Sequence, residues 1–349
     1  MIGVGILGIG FMGSAHFNAM RRVNGAAVVA LATRDRTKWT GDWSNIRGNY
    51  GTPAGQVDLT GVSTYPDLTE LVADPHVDLI DICLPTAQHR IAAIRALDAG
   101  KHVLVEKPIA LTRADAEEMQ AAARANGRRL FVAHVLHFME PYRHLREILE
   151  RPETQPLGLT MSRHVSTPWR ENAWRPRLEA SGGPVLDLLI HDVDLIRSVL
   201  GLPRSVTAHG HMHEEYPVHY HALLDYGPTG PTVSLSGGIT GMPGRPLQQR
   251  YTLHAEDLTL TFDPARAPQP VLTQAGHDPE SMPTRDGDPI AAELQYVIDA
   301  LAGRHDGSLL DAAGAADSLA ICLATTRSIT SGEIISICMD NPIGTGEGR

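Results

Sequence analysis

The nine residues Gly5-Ile6-Leu7-Gly8-Ile9-Gly10-Phe11-Met12-Gly13 constrain this chain more than any other stretch. They set Gly8-x-Gly10-x-x-Gly13 between an apolar run over 3–8, read as a buried strand, and a helical pattern that starts at Phe11. Gly8 permits a tight turn. Gly10 lets a pyrophosphate approach the backbone, and Gly13 lets helix and strand pack closely. The helix N-terminus then adds N–H donors and a positive dipole for phosphates. The pattern predicts a strand–turn–helix that binds a dinucleotide, with Gly8, Ile9, Gly10, Phe11, Met12 and Gly13 at the cofactor. About 20 positions on, where an acidic residue would hold a ribose 2′-hydroxyl, stand Thr33 and Arg34, and Asp35 follows two positions late. A small hydroxyl followed by a guanidinium suits a 2′-phosphate, and Arg36 and Lys38 add positive charge. NADP is therefore favoured as cofactor over NAD.

The rest of the first part alternates strand and helix. Apolar runs at 26–33, 79–85, 102–106 and 129–138 are separated by helical segments such as 87–100 and 112–127, the latter capped by Thr112 and ended by Gly127. Continuous apolar strands in alternation with helices mean a parallel sheet covered on both faces. Beyond about 140 the rhythm changes. A long apolar helix over 184–201 precedes strand-like segments at 204–213, 219–226, 232–238, 249–256 and 258–263, a Pro-rich loop over 264–289, and helices over 289–303 and 311–329. The expected fold is α/β. A Rossmann doubly wound parallel sheet over 1–128 binds the dinucleotide. A C-terminal α/β domain over 129–349, with a large, mostly antiparallel open-faced sheet, binds substrate and supports oligomerisation. The helix 311–329 is expected to pack back on the first domain.

Charge narrows the partners. Lys and Arg total 30 against 40 Asp and Glu, a formal net charge of -10. That balance argues against nucleic acid and against an anionic membrane surface, and no apolar run reaches membrane-spanning length. The three cysteines, Cys83, Cys322 and Cys338, fit neither a disulfide framework nor a zinc site. With no signal-peptide pattern, a cytoplasmic location is expected.

Ligands of doubly wound sheets lie beyond the carboxyl ends of the strands. Leu84, Pro85, Thr86 and His89 follow one such end, and Glu106 and Lys107 lie at another. These positions are expected to face the cofactor, and a lysine placed there can stabilise charge on a reacting oxygen. In the apolar helix after Pro184, Asp187, His191 and Asp194 fall at i, i+4 and i+7, a polar stripe expected to face a cavity. His191 is the natural proton acceptor, with a carboxylate one turn away to orient it. Asp and His also ligate metals, but no second ligand cluster accompanies them, and no metal is expected. A purely structural buried network is the remaining alternative.

Together the segments 5–13, 105–111 and 181–196 resemble the Gfo/Idh/MocA oxidoreductases, named for glucose-fructose oxidoreductase and inositol dehydrogenase. The resemblance extends over nearly the whole chain. It implies NAD(P)-dependent hydride transfer at a carbon of a sugar, cyclitol or related polyol, in a homo-oligomer (dimer or tetramer) joined through the C-terminal sheet. It also implies a catalytic Lys107 with the helix pair Asp187 and His191. Lys107, Asp187 and His191 would then contact substrate. His191 takes the hydroxyl proton, Lys107 hydrogen-bonds the developing alkoxide, and Asp187 orients the substrate or His191. Within that resemblance the chain has Leu189 where a glycine is frequent, and Val135 and His137 where an Asn and an Arg are frequent. The segment 167–177 is the expected substrate loop, with Trp174 and Arg175 as its binding residues. Two other functions fit the resemblance: an NAD-dependent glycosidase working by oxidation and elimination, and a non-catalytic dinucleotide-binding regulator. Among 17 histidines, His209, His211 and His213 alternate along one strand, with His219 and His221 nearby. Alternating histidines either bind zinc or line an interface, and the interface is the favoured reading.

Overall fold

A computed structural model describes residues 1–46, 55–166, 174–240, 246–284 and 287–337. The chain begins with β1 (Ile2–Leu7), α1 (Phe11–Met20), β2 (Ala26–Ala32), β3 (Ser63–Tyr65), α2 (Leu68–Ala73), β4 (Leu79–Ile82), α3 (His89–Asp98), β5 (His102–Glu106), α4 (Arg113–Ala125) and β6 (Leu130–Ala133). The six strands form one parallel sheet in the order β3-β2-β1-β4-β5-β6. The order reverses between β1 and β4, which opens a crevice at their carboxyl ends. Local chemistry sets the helix ends. Thr112 caps α4 by accepting from the Asp115 N–H at 3.1 Å, and Gly127 ends the turn beyond it at φ +59.

The second half contains α5 (Glu140–Leu149), β7 (Pro156–Ser166), α6 (Trp174–Ser181), α7 (Ile190–Leu200), β8 (Ser205–His213), β9 (Tyr216–Asp225), β10 (Thr232–Thr240), β11 (Gln248–Ala255), β12 (Leu258–Phe262), β13 (Val271–Gln274), β14 (Glu280–Ser281), α8 (Pro289–Leu301), α9 (Ala312–Ser331) and β15 (Ile335–Ser336). Its nine-stranded sheet runs β14-β13-β12-β11-β7-β10-β9-β8-β15, antiparallel except where β7 meets β10. One face carries Leu159, Tyr220, Leu235 and Leu253 into a core shared with α7, α9 and the first sheet. The opposite face leaves His209, His211, His221, Leu223 and Arg250 exposed. α9 lies against both α4 and α7. α8 packs on α1, with Leu294, Val297 and Ile298 among Phe17 and Met20. No helix among the described residues is long and apolar enough to cross a membrane.

Three sequence expectations are corrected, and one strand goes unexpected. The run 129–138 is a strand only as far as Ala133, because residues 135–138 close into a 3-10 turn. The helix after Pro184 is not continuous, since Val185–Leu189 is a π-helical turn that precedes α7. The Pro-rich stretch 264–289 is not all loop, and it adds β13 and β14 to the sheet edge. The central strand β7 is absent from the sequence reading, although Leu157, Leu159, Met161 and Val165 alternate with small or polar residues and break only at Arg163. It pairs on both sides, and Leu159 and Met161 bury its inner face.

Candidate active site

The crevice between β1 and β4 holds a cavity of about 580 Å³. Gly8, Ile9, Gly10, Thr33, Arg34, Leu84 and Pro85 line it, as the sequence pattern expects. Gly8 turns at φ +97, and a Cβ on Gly13 would come within 2.0 Å of the Gly8 carbonyl oxygen. A Cβ on Gly10 would meet nothing within 4 Å, so the backbone there is open to a ligand. Phe11, Met12 and Gly13 form the first turn of α1 behind this loop.

The cationic wall is more specific than the spacing alone foretells. Lys38 Nζ donates to the Ile9 carbonyl at 2.6 Å, so it sits against the glycine loop. Arg36 turns away and lies over the Trp39 ring at 5.1 Å. Asp35 is turned into its own 3-10 turn, where it accepts from the Thr37 hydroxyl at 2.6 Å and the Thr37 N–H at 3.1 Å. Those bonds, the hydroxyl's first, hold its carboxyl below its ordinary value. Thr33 accepts from the Asp35 N–H at 3.3 Å and keeps its own O–H to donate. Arg34 and Arg95 complete the positive lining, and Arg95 comes from α3, a helix position that no motif marks. A dinucleotide fits this donor set, with Gly8–Gly10 toward the pyrophosphate and Thr33 and Arg34 toward the adenosine ribose.

Three residues expected at the cofactor are instead buried. His89 has both ring nitrogens on carbonyl oxygens, Pro108 at 2.9 Å and Leu84 at 2.8 Å, so it ties two strand-end loops together. Thr86 is buried in the turn before it. Glu106 lies 3.1 Å from His16 Nε2, and His16 Nδ1 lies 2.8 Å from Asp81. Burial opposes charge on His16, but Asp81 and its neighbours outweigh burial and raise its pKa well above the usual value. Burial likewise opposes charge on Glu106, yet His16 and Lys107 hold its carboxyl low. Glu106 also accepts the Lys107 backbone N–H at 3.2 Å, while the Lys107 side chain points elsewhere.

Lys107 precedes Pro108 across a cis peptide bond and reaches the π-helical turn. Its Nζ donates to Asp187 Oδ1 at 2.7 Å and to the Asp187 carbonyl at 2.9 Å. The pair is partly open, with side chains 17% and 47% exposed. One turn on, His191 is half-buried, and its Nδ1 is buried with no hydrogen-bond partner. Burial, then the positive charges of Lys107 and Arg163, push its pKa well below the ordinary imidazole value. His191 is therefore uncharged at neutral pH.

Asp194 departs from the expected cavity-facing stripe. It is buried and accepts from Ser318 Oγ at 2.7 Å, with His137 Nε2 at 2.6 Å, Arg197 at 3.5 Å and His134 at 3.7 Å. Burial would raise its carboxyl, but His134, His137 and Arg197 hold it far below the usual carboxylate range. Asp187 lies in the π-helical turn, and two turns further along the segment Asp194 lies in the core. Beside it, Arg163 forks onto buried Asp192 at 2.7 and 3.2 Å. His134 is a residue the sequence reading passed over, although it follows β6 as Lys107 follows β5. Of the expected substrate loop, 167–173 lies outside the described residues. Trp174 and Arg175 begin α6, and their side chains also lie outside them.

Two family models match the chain. The oxidoreductase family, NAD-binding Rossmann fold, of the Gfo/Idh/MocA group matches residues 2–134, and the C-terminal domain of the same group matches 142–261. The chain belongs to the Gfo/Idh/MocA family. Among characterised relatives, 1,5-anhydro-D-fructose reductase of Ensifer adhaerens is 41% identical over 38% of this chain and 40% of its own length. The scyllo-inositol 2-dehydrogenase (NADP(+)) IolW of Bacillus subtilis is 24% identical over 73% of this chain and 67% of its own length. The myo-inositol 2-dehydrogenase of Thermotoga maritima is 27% identical over 57% and 54%. The chain thus spans two fifths to two thirds of the length of these relatives. The fold is that of an NAD binding oxidoreductase from Klebsiella pneumoniae, at TM-score 0.78 and 22% identity over 97% of this chain and 99% of that one.

Proposed function

We propose that this chain is an NADP(H)-dependent oxidoreductase acting at a hydroxyl or carbonyl carbon of a sugar, cyclitol or related polyol. The observation that carries it is the grouping at the strand ends: Lys107 held by Asp187, with His191 one turn along and its Nδ1 without a partner among the described residues. The names of the anhydrofructose reductase and inositol dehydrogenases it resembles supply the substrate class. The bound nicotinamide supplies a hydride acceptor or donor. The protein's groups handle the proton and the charge. His191 accepts the substrate hydroxyl proton in oxidation and returns it in reduction. Lys107 hydrogen-bonds the oxygen as negative charge develops there. Asp187 fixes the direction of Lys107 and contacts a neighbouring substrate hydroxyl. NADP is favoured because Arg34, Lys38 and Arg95 line the cavity, and the Asp35 carboxylate beside them has its oxygen engaged by Thr37.

The test is a panel of cyclitols, hexoses and anhydro sugars run with NADP and with NAD, wild type beside Arg34→Ala. Cofactor reduction or oxidation is expected, with kcat/KM at least about tenfold higher for NADP(H), a difference of roughly 1.4 kcal/mol. Arg34→Ala is expected to remove most of that gap. Equal use of both cofactors by the wild type overturns the 2′-phosphate assignment. No turnover of any polyol or ketose in either direction overturns the reading of the site.

A further inference from the structure

The open face of the second sheet carries a histidine grouping that the proposed reaction does not use. The register aligns Gln248 (β11), His164 (β7), Gly238 (β10), His219 (β9) and His211 (β8) in one row across five strands. The adjacent row on the same face holds Arg250, Ser162, Ser236, His221 and His209. Beyond His211 the register slips, and His213 comes to lie opposite Tyr216 at the hairpin end, outside both rows.

The middle of the first row is special. β7 and β9 are two strand spacings apart, about 9–10 Å, yet the His164 and His219 imidazoles meet over β10. Their Nε2 atoms are 3.4 Å apart and their ring centroids 5.3 Å apart. A glycine, Gly238, stands between them on β10. Gly238 is at φ +145, and a Cβ there would lie 2.3 Å from the Val218 carbonyl oxygen and 2.7 Å from His219 Cα. At 3.4 Å an N–H···N bond is long for a protein hydrogen bond. The same separation matches two imidazole nitrogens on one tetrahedral cation, which at metal–nitrogen distances of about 2.0–2.1 Å stand about 3.3–3.4 Å apart.

A third ligand has to come from a neighbouring histidine by a change of rotamer, since no third ligand atom among the described residues lies beside the pair. His221 has its ring centroid 5.3 Å from that of His219, and His211 is directly opposite His219 on β8. Both are exposed, and exposed side chains change rotamer readily. Imidazole ligands select borderline divalent ions over calcium or magnesium.

We propose that this face binds a divalent transition-metal ion of the zinc, nickel or copper class, through His164 and His219 with His221 or His211 as third ligand and water completing the shell. The site is separate from the dinucleotide cavity and does not depend on the assignment of the reaction.

The test is calorimetric titration of Zn²⁺ into the tag-free full chain after chelator treatment, with His164→Gln, His219→Gln and the double variant His211→Gln/His221→Gln alongside. His254→Gln, an exposed histidine further along β11 on the same face, is the control. Saturable wild-type binding is expected. Each of the first three variants should weaken it at least roughly tenfold, with His254→Gln unchanged and all variants melting with the wild type. Absence of saturable Zn²⁺ binding overturns the proposal. So does binding that survives unchanged in both His164→Gln and His219→Gln.

Discussion

Asp187 and Asp194 sit two turns apart on one helical segment, and the molecule treats them in opposite ways. Asp187 is half exposed in a π-helical turn and holds only Lys107. Asp194 is buried and takes His137 and Ser318, with Arg197 and His134 close by. A partly open ion pair loses little when a ligand intrudes, because water already screens it. A buried carboxylate must keep its partners, because an unpaired buried charge is costly. The difference divides the helix into a working end and a fastening end. In the proposed reaction, Lys107 and Asp187 re-form their contacts around a substrate oxygen. Asp194 fixes α7 to the turn after β6 and, through Ser318, to α9.

The division is broken most directly at the fastening end. Asp194→Ala leaves His137 Nε2 without its partner and takes the carboxylate from Ser318 and Arg197, and is expected to lower stability by about 3–5 kcal/mol. Denaturant unfolding checks it. A loss under about 1 kcal/mol would mean that the network is not a fastening. Lys107→Met should do the reverse, with kcat/KM falling roughly 10²–10³-fold, as when a donor to a developing oxyanion is removed, and the melting temperature almost unmoved. An equal loss of stability in Lys107→Met would erase the distinction between the two ends.

How much of this was legible in the sequence depends on how locally each feature is encoded. The glycine loop is set by sterics within nine residues, so spacing reveals it, and the strands β1, β2, β4, β5 and β6 follow from apolar runs and helix punctuation. Lys107, Asp187 and His191 were singled out because charged groups beside apolar runs need a reason. Their mutual arrangement was not visible. The pattern i, i+4, i+7 gives a shared face but not what packs on it, and at Asp194 that is His137 and Ser318, from elements distant in sequence. His89 looked like a ligand because it follows a strand end, yet its ring is engaged by two carbonyl oxygens more than 15 residues apart in sequence. The His164–His219 contact depends on register across three strands, and no local pattern encodes it.

The smallest expected effect sharpens the comparison through pH. His134 lies against the fastening end, buried, with neither ring nitrogen hydrogen-bonded. Burial brings its pKa from 6.5 down to about 4, against the pull of Asp194 in the other direction. A histidine depressed in the folded state favours folding while both states are neutral. As pH falls through 6.5 the unfolded chain takes up a proton that the folded chain refuses, so stability falls until pH reaches about 4. One group with that shift contributes at most about 3 kcal/mol across the window. The wild type should therefore lose stability between those two pH values more steeply than His134→Gln, whose side chain does not titrate. Chemical unfolding at several pH values between 6.5 and 4 measures both slopes. Equal slopes would show that His134 exchanges its proton as freely as an exposed imidazole. The polar cluster around Asp194 would then be open to water, and the two ends of the helix would differ in partners but not in burial.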